Sequence, residues 1–146
     1  MAMAERTATT TWEGDLPHGS GVLNGASGAL DSLPVTWASR TERSGGKTSP
    51  EELIAAAHSS CFSMALSHEL SEGGNPPQQL DVTAKVTLDI KDEAPTVTTS
   101  ELTVSGKVTG IDQAGFEQAA QNAAKNCPIS RALAGVQITV SATLQS

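Results

Sequence analysis

The chain reads as an α+β protein, and three observations carry that reading. Residues 80–91 and 96–109 alternate apolar and polar side chains with a period of two, as half-buried strands do. Residues 50–71 form a long helical run with start signals in front and Gly73-Gly74-Asn75-Pro76-Pro77 as a stop behind. The predicted order is three strands, a helix, two strands, two helices and a strand, so strands and helices cluster instead of alternating.

Each element has a local cause. Thr7–Trp12 is rich in β-branched and aromatic residues and predicts a first strand. Gly14, Gly19, Gly21, Gly25 and Gly28 then punctuate the chain at the short intervals of a tight-turned meander. Leu33–Arg40 predicts a third strand, with Pro34 at its start where no ladder donor is lost. Ser44-Gly45-Gly46-Lys47 is a loop. Thr48 or Ser49 then caps the long helix, Pro50 takes its first position, and Glu51 and Glu52 complement the positive end of its dipole. In the strand at 80–91, Val82, Ala84, Val86, Leu88 and Ile90 share one face. The link Asp92-Glu93-Ala94-Pro95 predicts a hairpin with one wet face. Asp112 caps a helix over 113–126, Cys127-Pro128 opens a short one to about Leu133, and 136–144 closes the chain as a strand.

With 146 residues the chain predicts one domain, 1–146, large enough to bury a core without disulfides or metal. Trp12, Trp37, Phe62 and Phe116 are its whole aromatic set, so Val, Leu, Ile and Ala must build that core. A net charge of −7 and a pI near 4.8 argue against a nucleic-acid surface. No stretch approaches the roughly 18 apolar residues of a membrane span. Met1–Thr7 lacks the apolar core of a secretory signal. The expected compartment is therefore a reducing cytosol, where two distant cysteines suggest redox chemistry more than a structural staple.

Cys61 and Cys127 are the only cysteines. Cys61 sits mid-helix, where the dipole gives no help, so as a reactive thiol it needs a cation from another element; otherwise it is a small buried hydrophobe. Cys127 stands at a helix start, where exposed N–H groups lower a thiol pKa, so by position alone it is the stronger thiolate candidate. His58 precedes Cys61 by three and can share its helix face. With Cys127, and His18 or His68, it could build a metal site, but no CxxC or HExxH spacing supports that; a core histidine is the plainer reading. Arg40, with Arg43 three positions on, is equally a solvated strand end or a functional cation. Glu51 belongs in a helix first turn for stability alone. Phosphate loops, nucleophile elbows and dinucleotide fingerprints are missing from the sequence, so no cofactor is expected.

The run Thr48-Ser49-Pro50-Glu51-Glu52-Leu53-Ile54-Ala55-Ala56-Ala57-His58-Ser59-Ser60-Cys61-Phe62-Ser63-Met64-Ala65-Leu66 resembles the central-helix motif of the osmotically inducible protein C / organic hydroperoxide resistance family. Asn126-Cys127-Pro128-Ile129-Ser130 resembles its second cysteine motif. Thr11-Trp12-Glu13-Gly14, Gly19-Ser20-Gly21-Val22 and Ser27-Gly28 are similar to the osmotically inducible branch. The resemblance spans essentially the whole chain. It implies antiparallel sheets wrapped around a central cysteine-bearing helix in an intertwined homodimer. It implies a thiol-dependent peroxidase that reduces organic hydroperoxides, with Cys61 peroxidatic and Cys127 resolving. Arg40 would activate the thiolate and Glu51 would hold that arginine. Electrons would come from a dithiol donor such as a lipoylated protein.

The implied chemistry is sound. A Cys61 thiolate attacks the peroxide and becomes a sulfenic acid, Cys127 condenses with it to a disulfide, and external thiols reset the pair. The Arg40 guanidinium, always protonated, stabilises the thiolate and the developing alkoxide. The resemblance thus reverses the ranking of the two cysteines drawn from position. Phe62, Met64, Ala65 and Leu66 are expected to line an apolar substrate pocket. Along one helix, ten residues rise about 15 Å, so a Glu51 acting at Cys61 most simply comes from the partner subunit. The alternatives are a non-enzymatic metal or small-ligand module using His58, Cys61 and Cys127, and a globular dimer whose cysteines are merely buried.

Overall fold

The computed structural model describes residues 1–145. Its contacts divide the chain into two compact units, the first ending at Leu53 and the second beginning at Ile54.

In the first unit, β1 (Ala8–Glu13), β2 (Ser20–Gly25) and β3 (Leu33–Val35) form an antiparallel meander in that order. Thr11 pairs with Val22 and Val22 with Pro34. The third strand is shorter than the sequence predicts. It stops at Val35, and residues expected to extend it form a short helix, α1 (Trp37–Thr41). The cause is a capping box. Thr36 Oγ1 accepts from the Ser39 N–H at 3.0 Å, and Ser39 Oγ accepts from the Thr36 N–H at 2.9 Å. These local side-chain bonds outweigh the strand pattern. Arg40 therefore lies in the last turn of a helix, not at a strand end.

The long helix α2 (Pro50–Glu72) opens at the end of the first unit and continues unbroken into the second. Ser49 is its cap, accepting from the Glu52 N–H at 3.1 Å. The helix ends at Gly73-Gly74, where Gly74 adopts φ +87°, the left-handed conformation that closes helices.

In the second unit, β4 (Gln79–Lys91) and β5 (Ala94–Lys107) form a long antiparallel hairpin. The turn is tighter than expected. Asp92 and Glu93 alone make it, both at positive φ (52° and 65°), as two-residue hairpin loops require. The register shifts at Thr87/Leu88, where β5 carries the extra residue, so β4 keeps its own alternation; Val82 and Ala84 pack against the core, while Ile90, near the turn of the hairpin, is exposed. Helices α3 (Gln113–Asn126) and α4 (Pro128–Ala132) then lead to β6 (Gln137–Leu144). The expected antiparallel pairing holds for β1–β2–β3 and for β4–β5, but β6 joins β5 in parallel, from Thr99↔Gln137 to Gly106↔Leu144. The α3–α4 crossover returns the chain to the start of the sheet, and such a crossover makes a parallel neighbour.

The core of this unit lies between one stripe of α2, the inward face of β5, and α3. His58, Phe62, Leu66 and Leu70 recur every four residues along α2 and are fully or nearly fully buried. Ser100, Leu102 and Val104 meet them from β5, and Phe116, Ala120 and Ala123 from α3. Gly106 is required here: a Cβ at that position would stand 2.5 Å from the Phe116 ring. Burying Phe62 and Leu66 stabilises the unit by roughly 1.5–3 kcal/mol each. Among the described residues, no helix is long and apolar enough to cross a membrane.

Candidate active site

The first unit builds one charged pair from its loop geometry. The Thr48 N–H donates to the Pro34 carbonyl at 2.9 Å, and Ser39 Oγ donates to the Thr48 carbonyl at 2.9 Å. These bonds fasten the chain ahead of α2 to β3 and α1. Thr48 Oγ1 also donates to Glu52 Oε1 at 2.6 Å, which occupies the neighbouring carboxylate. Arg40 on α1 is thereby brought to Glu51 in the first turn of α2. Arg40 Nε donates to Glu51 Oε1 at 3.0 Å and Nη2 donates to Oε2 at 2.8 Å, a bidentate fork. The Glu51 side chain is 10% exposed and that of Arg40 32%. Among the described residues no acceptor meets Nη1, so the guanidinium keeps donors to offer elsewhere. Arg40, and not Arg43, holds Glu51.

The second unit builds the cysteine pair. Cys61 is half-buried on α2, Cys127 is fully buried between α3 and α4, and both are free thiols. The two sulfurs are neighbours. Burial pushes the Cys61 thiol above its ordinary 9.0, the Ile129 backbone N–H pulls it down, and the adjacent Cys127 pushes it up again. Cys127 caps α4 without a side-chain hydrogen bond. The first-turn N–H that position seemed to promise Cys127 is thus lent to Cys61, and Cys127 is sealed in the core. Cys61 is the more exposed of the two thiols.

His58 lies one turn before Cys61 and is completely buried. Its Nδ1 stands 2.7 Å from Ser100 Oγ on β5, and its Nε2 stands 2.8 Å from Ser130 Oγ on α4. Desolvation lowers its pKa below the ordinary 6.5, favouring the neutral ring. Both ring nitrogens are occupied, so the metal-site reading loses its histidine. Among the described residues no cluster of three or more His, Cys, Asp or Glu side chains is arranged to hold a metal ion. His18 instead pairs with Asp15 at 3.2 Å, on the surface. The expected pocket lining also needs correction. Phe62 and Leu66 are core residues, and Met64 is 72% exposed. Their four-residue spacing turns them inward, away from Met64.

Two pairs are thus formed, Arg40–Glu51 in the first unit and Cys61–Cys127 in the second. Ser100, Ser130 and the Ile129 N–H escaped the sequence reading. Ser100 left a trace: it shares the inward register of Leu102 and Val104, where a serine needs a buried partner.

A family model for OsmC-like proteins matches residues 43–141. The chain belongs to the OsmC-like protein family. The peroxiredoxin OsmC of Escherichia coli (strain K12) is 42% identical over 135 residues, which cover 92% of this chain and 93% of that protein. Among solved structures, an organic hydroperoxide resistance protein OsmC from Legionella pneumophila superposes with a TM-score of 0.72 at 23% identity, covering 98% of this chain and 99% of that one. The organic hydroperoxide resistance protein OhrB of Bacillus subtilis gives 0.69 at 23% identity, covering 95% and 98%. These two structures establish the OsmC-like fold for this chain. The family match spans α2 and both cysteines, and Arg40 lies just outside it.

Proposed function

We propose that this protein is a thiol-dependent peroxidase that reduces organic hydroperoxides to alcohols. The observation that carries the reading is a half-buried Cys61 beside a sealed Cys127, both reduced. The Escherichia coli relative is named a peroxiredoxin, and two structural neighbours are named for organic hydroperoxide resistance. Those names support the same chemistry here.

Cys61 Sγ attacks one peroxide oxygen. An S–O bond forms, the O–O bond breaks, and the alkoxide leaves as alcohol after taking a proton. The sulfenic acid that remains is the first, reversible step of thiol oxidation. Cys127 Sγ then attacks the Cys61 sulfur. The S–S bond forms, the S–O bond breaks, and hydroxide leaves as water with the thiol proton. An external dithiol, such as a lipoylated protein, returns the pair to two thiols by exchange. A reducing cytosol suits this cycle.

Arg40 is the cation that a mid-helix thiol needs, and Glu51 fixes its guanidinium plane. The reading takes 1–146 as one domain acting within a homodimer. Glu51 and Cys61 are ten residues apart on an unbroken helix, a rise of about 15 Å. The pair is therefore delivered to the Cys61 of the partner subunit, across a two-fold axis beside α2.

Consumption of cumene hydroperoxide and of hydrogen peroxide, with a dithiol as reductant, tests the proposal. A clearly larger second-order rate constant for the organic substrate is expected. Comparable constants, or no consumption of either, would contradict it.

A further inference from the structure

The sealed histidine is not used by the chemistry above, yet it joins the elements that carry the two cysteines. His58 sits on α2 one turn before Cys61. Ser130 sits on α4 three residues after Cys127. Ser100, on β5, fixes the other side of the same ring. The 2.7 Å bond to Ser100 fixes the ring against β5, and the 2.8 Å bond to Ser130 then holds α4 against α2, beside the Ile129 N–H on Cys61. Helix α4 is only five residues long and cannot be held by helix cooperativity. Cys127 itself makes no side-chain capping bond that would anchor it.

We propose that His58 is a positioning residue for disulfide closure: through Ser130 it holds α4, and with it the Cys127 sulfur, in attacking range of Cys61. The inference rests on the peroxidase reading for its biological setting but not for its geometry. In the closing step the Cys127 thiol displaces hydroxide from the Cys61 sulfenic acid, giving the disulfide and water. The peroxide step also feels α4, through the Ile129 N–H on Cys61, but only the closing step needs the Cys127 sulfur itself in range, so loss of the clamp slows closure more than sulfenic acid formation. Burial, which favours the neutral ring, suits this role, because a neutral imidazole holds both serines without bringing a charge beside the thiols. The Ser100 bond ties the ring to the sheet and the Ser130 bond ties it to α4, so the two arms are separable.

The experiment compares Ser130→Ala, Ser130→Thr, Ser100→Ala and His58→Gln with the unaltered protein, each first checked for a cooperative thermal transition. Rapid mixing with cumene hydroperoxide gives the rate of sulfenic acid formation, trapped with a dimedone reagent, and the rate of disulfide closure. Losing one buried hydrogen bond predicts closure slowed by about tenfold or more in Ser130→Ala, with sulfenic acid formation slowed clearly less. Ser130→Thr keeps the hydroxyl and restores closure, and Ser100→Ala slows it less than Ser130→Ala does. Equal slowing of both steps, or closure at the original rate in Ser130→Ala, overturns the inference. Glutathione exchange supplies a readout that needs no peroxidase activity. The effective concentration of Cys127 toward Cys61 falls by about tenfold in Ser130→Ala if the clamp acts. An unchanged value overturns it. If the unaltered protein ignores hydroperoxide, the peroxidase reading fails while the glutathione measurement still decides on the clamp.

Discussion

Arg40 grips Glu51 side-on within one chain, Nε to Oε1 at 3.0 Å and Nη2 to Oε2 at 2.8 Å. The fork spends one edge of the guanidinium, Nε and Nη2, on orientation and leaves Nη1 for another partner. A lysine cannot reproduce that division, because its ammonium is a point charge with no plane to fix. Arg40→Lys is expected to lower the second-order rate constant with cumene hydroperoxide on the order of a hundredfold. Stopped-flow oxidation measures it, and an unchanged constant would remove Arg40 from the site.

The Cys61 thiol has a sign that can be checked. Burial raises its pKa above the ordinary 9.0, with Cys127 adding to the shift and the Ile129 N–H opposing it. The surroundings within the second unit thus disfavour the thiolate, and the proposed source of the missing stabilisation is Arg40. In Arg40→Met, alkylation of Cys61 should reach half its maximal rate above pH 9.0, and at lower pH in the unaltered protein. The pH profile of the Cys61 peptide by mass spectrometry reads both. Coincident profiles would leave the arginine without effect on the thiol.

The same shift has a consequence for stability. A raised thiol pKa means that the folded chain keeps a proton that the unfolded chain gives up. The contribution is whole below about pH 9 and is lost as pH rises from there through the folded value. In Arg40→Met, denaturant unfolding should show stability declining above pH 9.0, and a Cys61→Ser change on that background should flatten the decline. An unaltered slope would assign it to another group.

His58 predicts the opposite edge of the profile. Its pKa is lowered by burial, so protons bind the unfolded state first. Its contribution is present above pH 6.5 and is lost as pH falls through the folded value. His58→Gln, with no titrating group, should weaken that acid-side slope. If the slope persists unchanged, His58 does not titrate in that range.

Much of this fold was legible in the sequence, for physical reasons that differ by element. The caps and stops of α2 and α3 are written in short-range chemistry: Ser49 before Pro50, Asp112 before Gln113, Gly-Gly after Glu72. The strand alternation of β4 follows from one buried face. The α1 turn was missed because Thr36 and Ser39 satisfy each other's backbone, which an apolar pattern does not reveal. The parallel placement of β6 depends on where a crossover returns, not on its residues. The burial of Cys127 and the Ile129 N–H on Cys61 were not legible either, since both are set by packing between α2 and α4. The family resemblance supplied Arg40 and Glu51; the residues alone offered only a strand end and a helix first turn.

Subunit sharing has its own test. Neither Glu51→Ala nor Cys61→Ser homodimers should be fully active. In a mixed dimer with shared sites, one site carries both lesions and the other carries neither. Mixing the two proteins under exchange conditions should therefore restore part of the activity. No recovery despite confirmed exchange would place the glutamate and cysteine of one site on the same chain.

The central claim is that Cys61 is oxidised first and Cys127 closes on it. Thiol titration before and after one equivalent of cumene hydroperoxide, with peptide mapping of the product, tests that order most directly. The account predicts loss of both thiols and a Cys61–Cys127 disulfide in the unaltered protein. It predicts a sulfenic acid on Cys61 in Cys127→Ser and no reaction in Cys61→Ser. Two thiols remaining after hydroperoxide, or oxidation of Cys127 in the Cys61→Ser protein at the rate seen for Cys61, would contradict it.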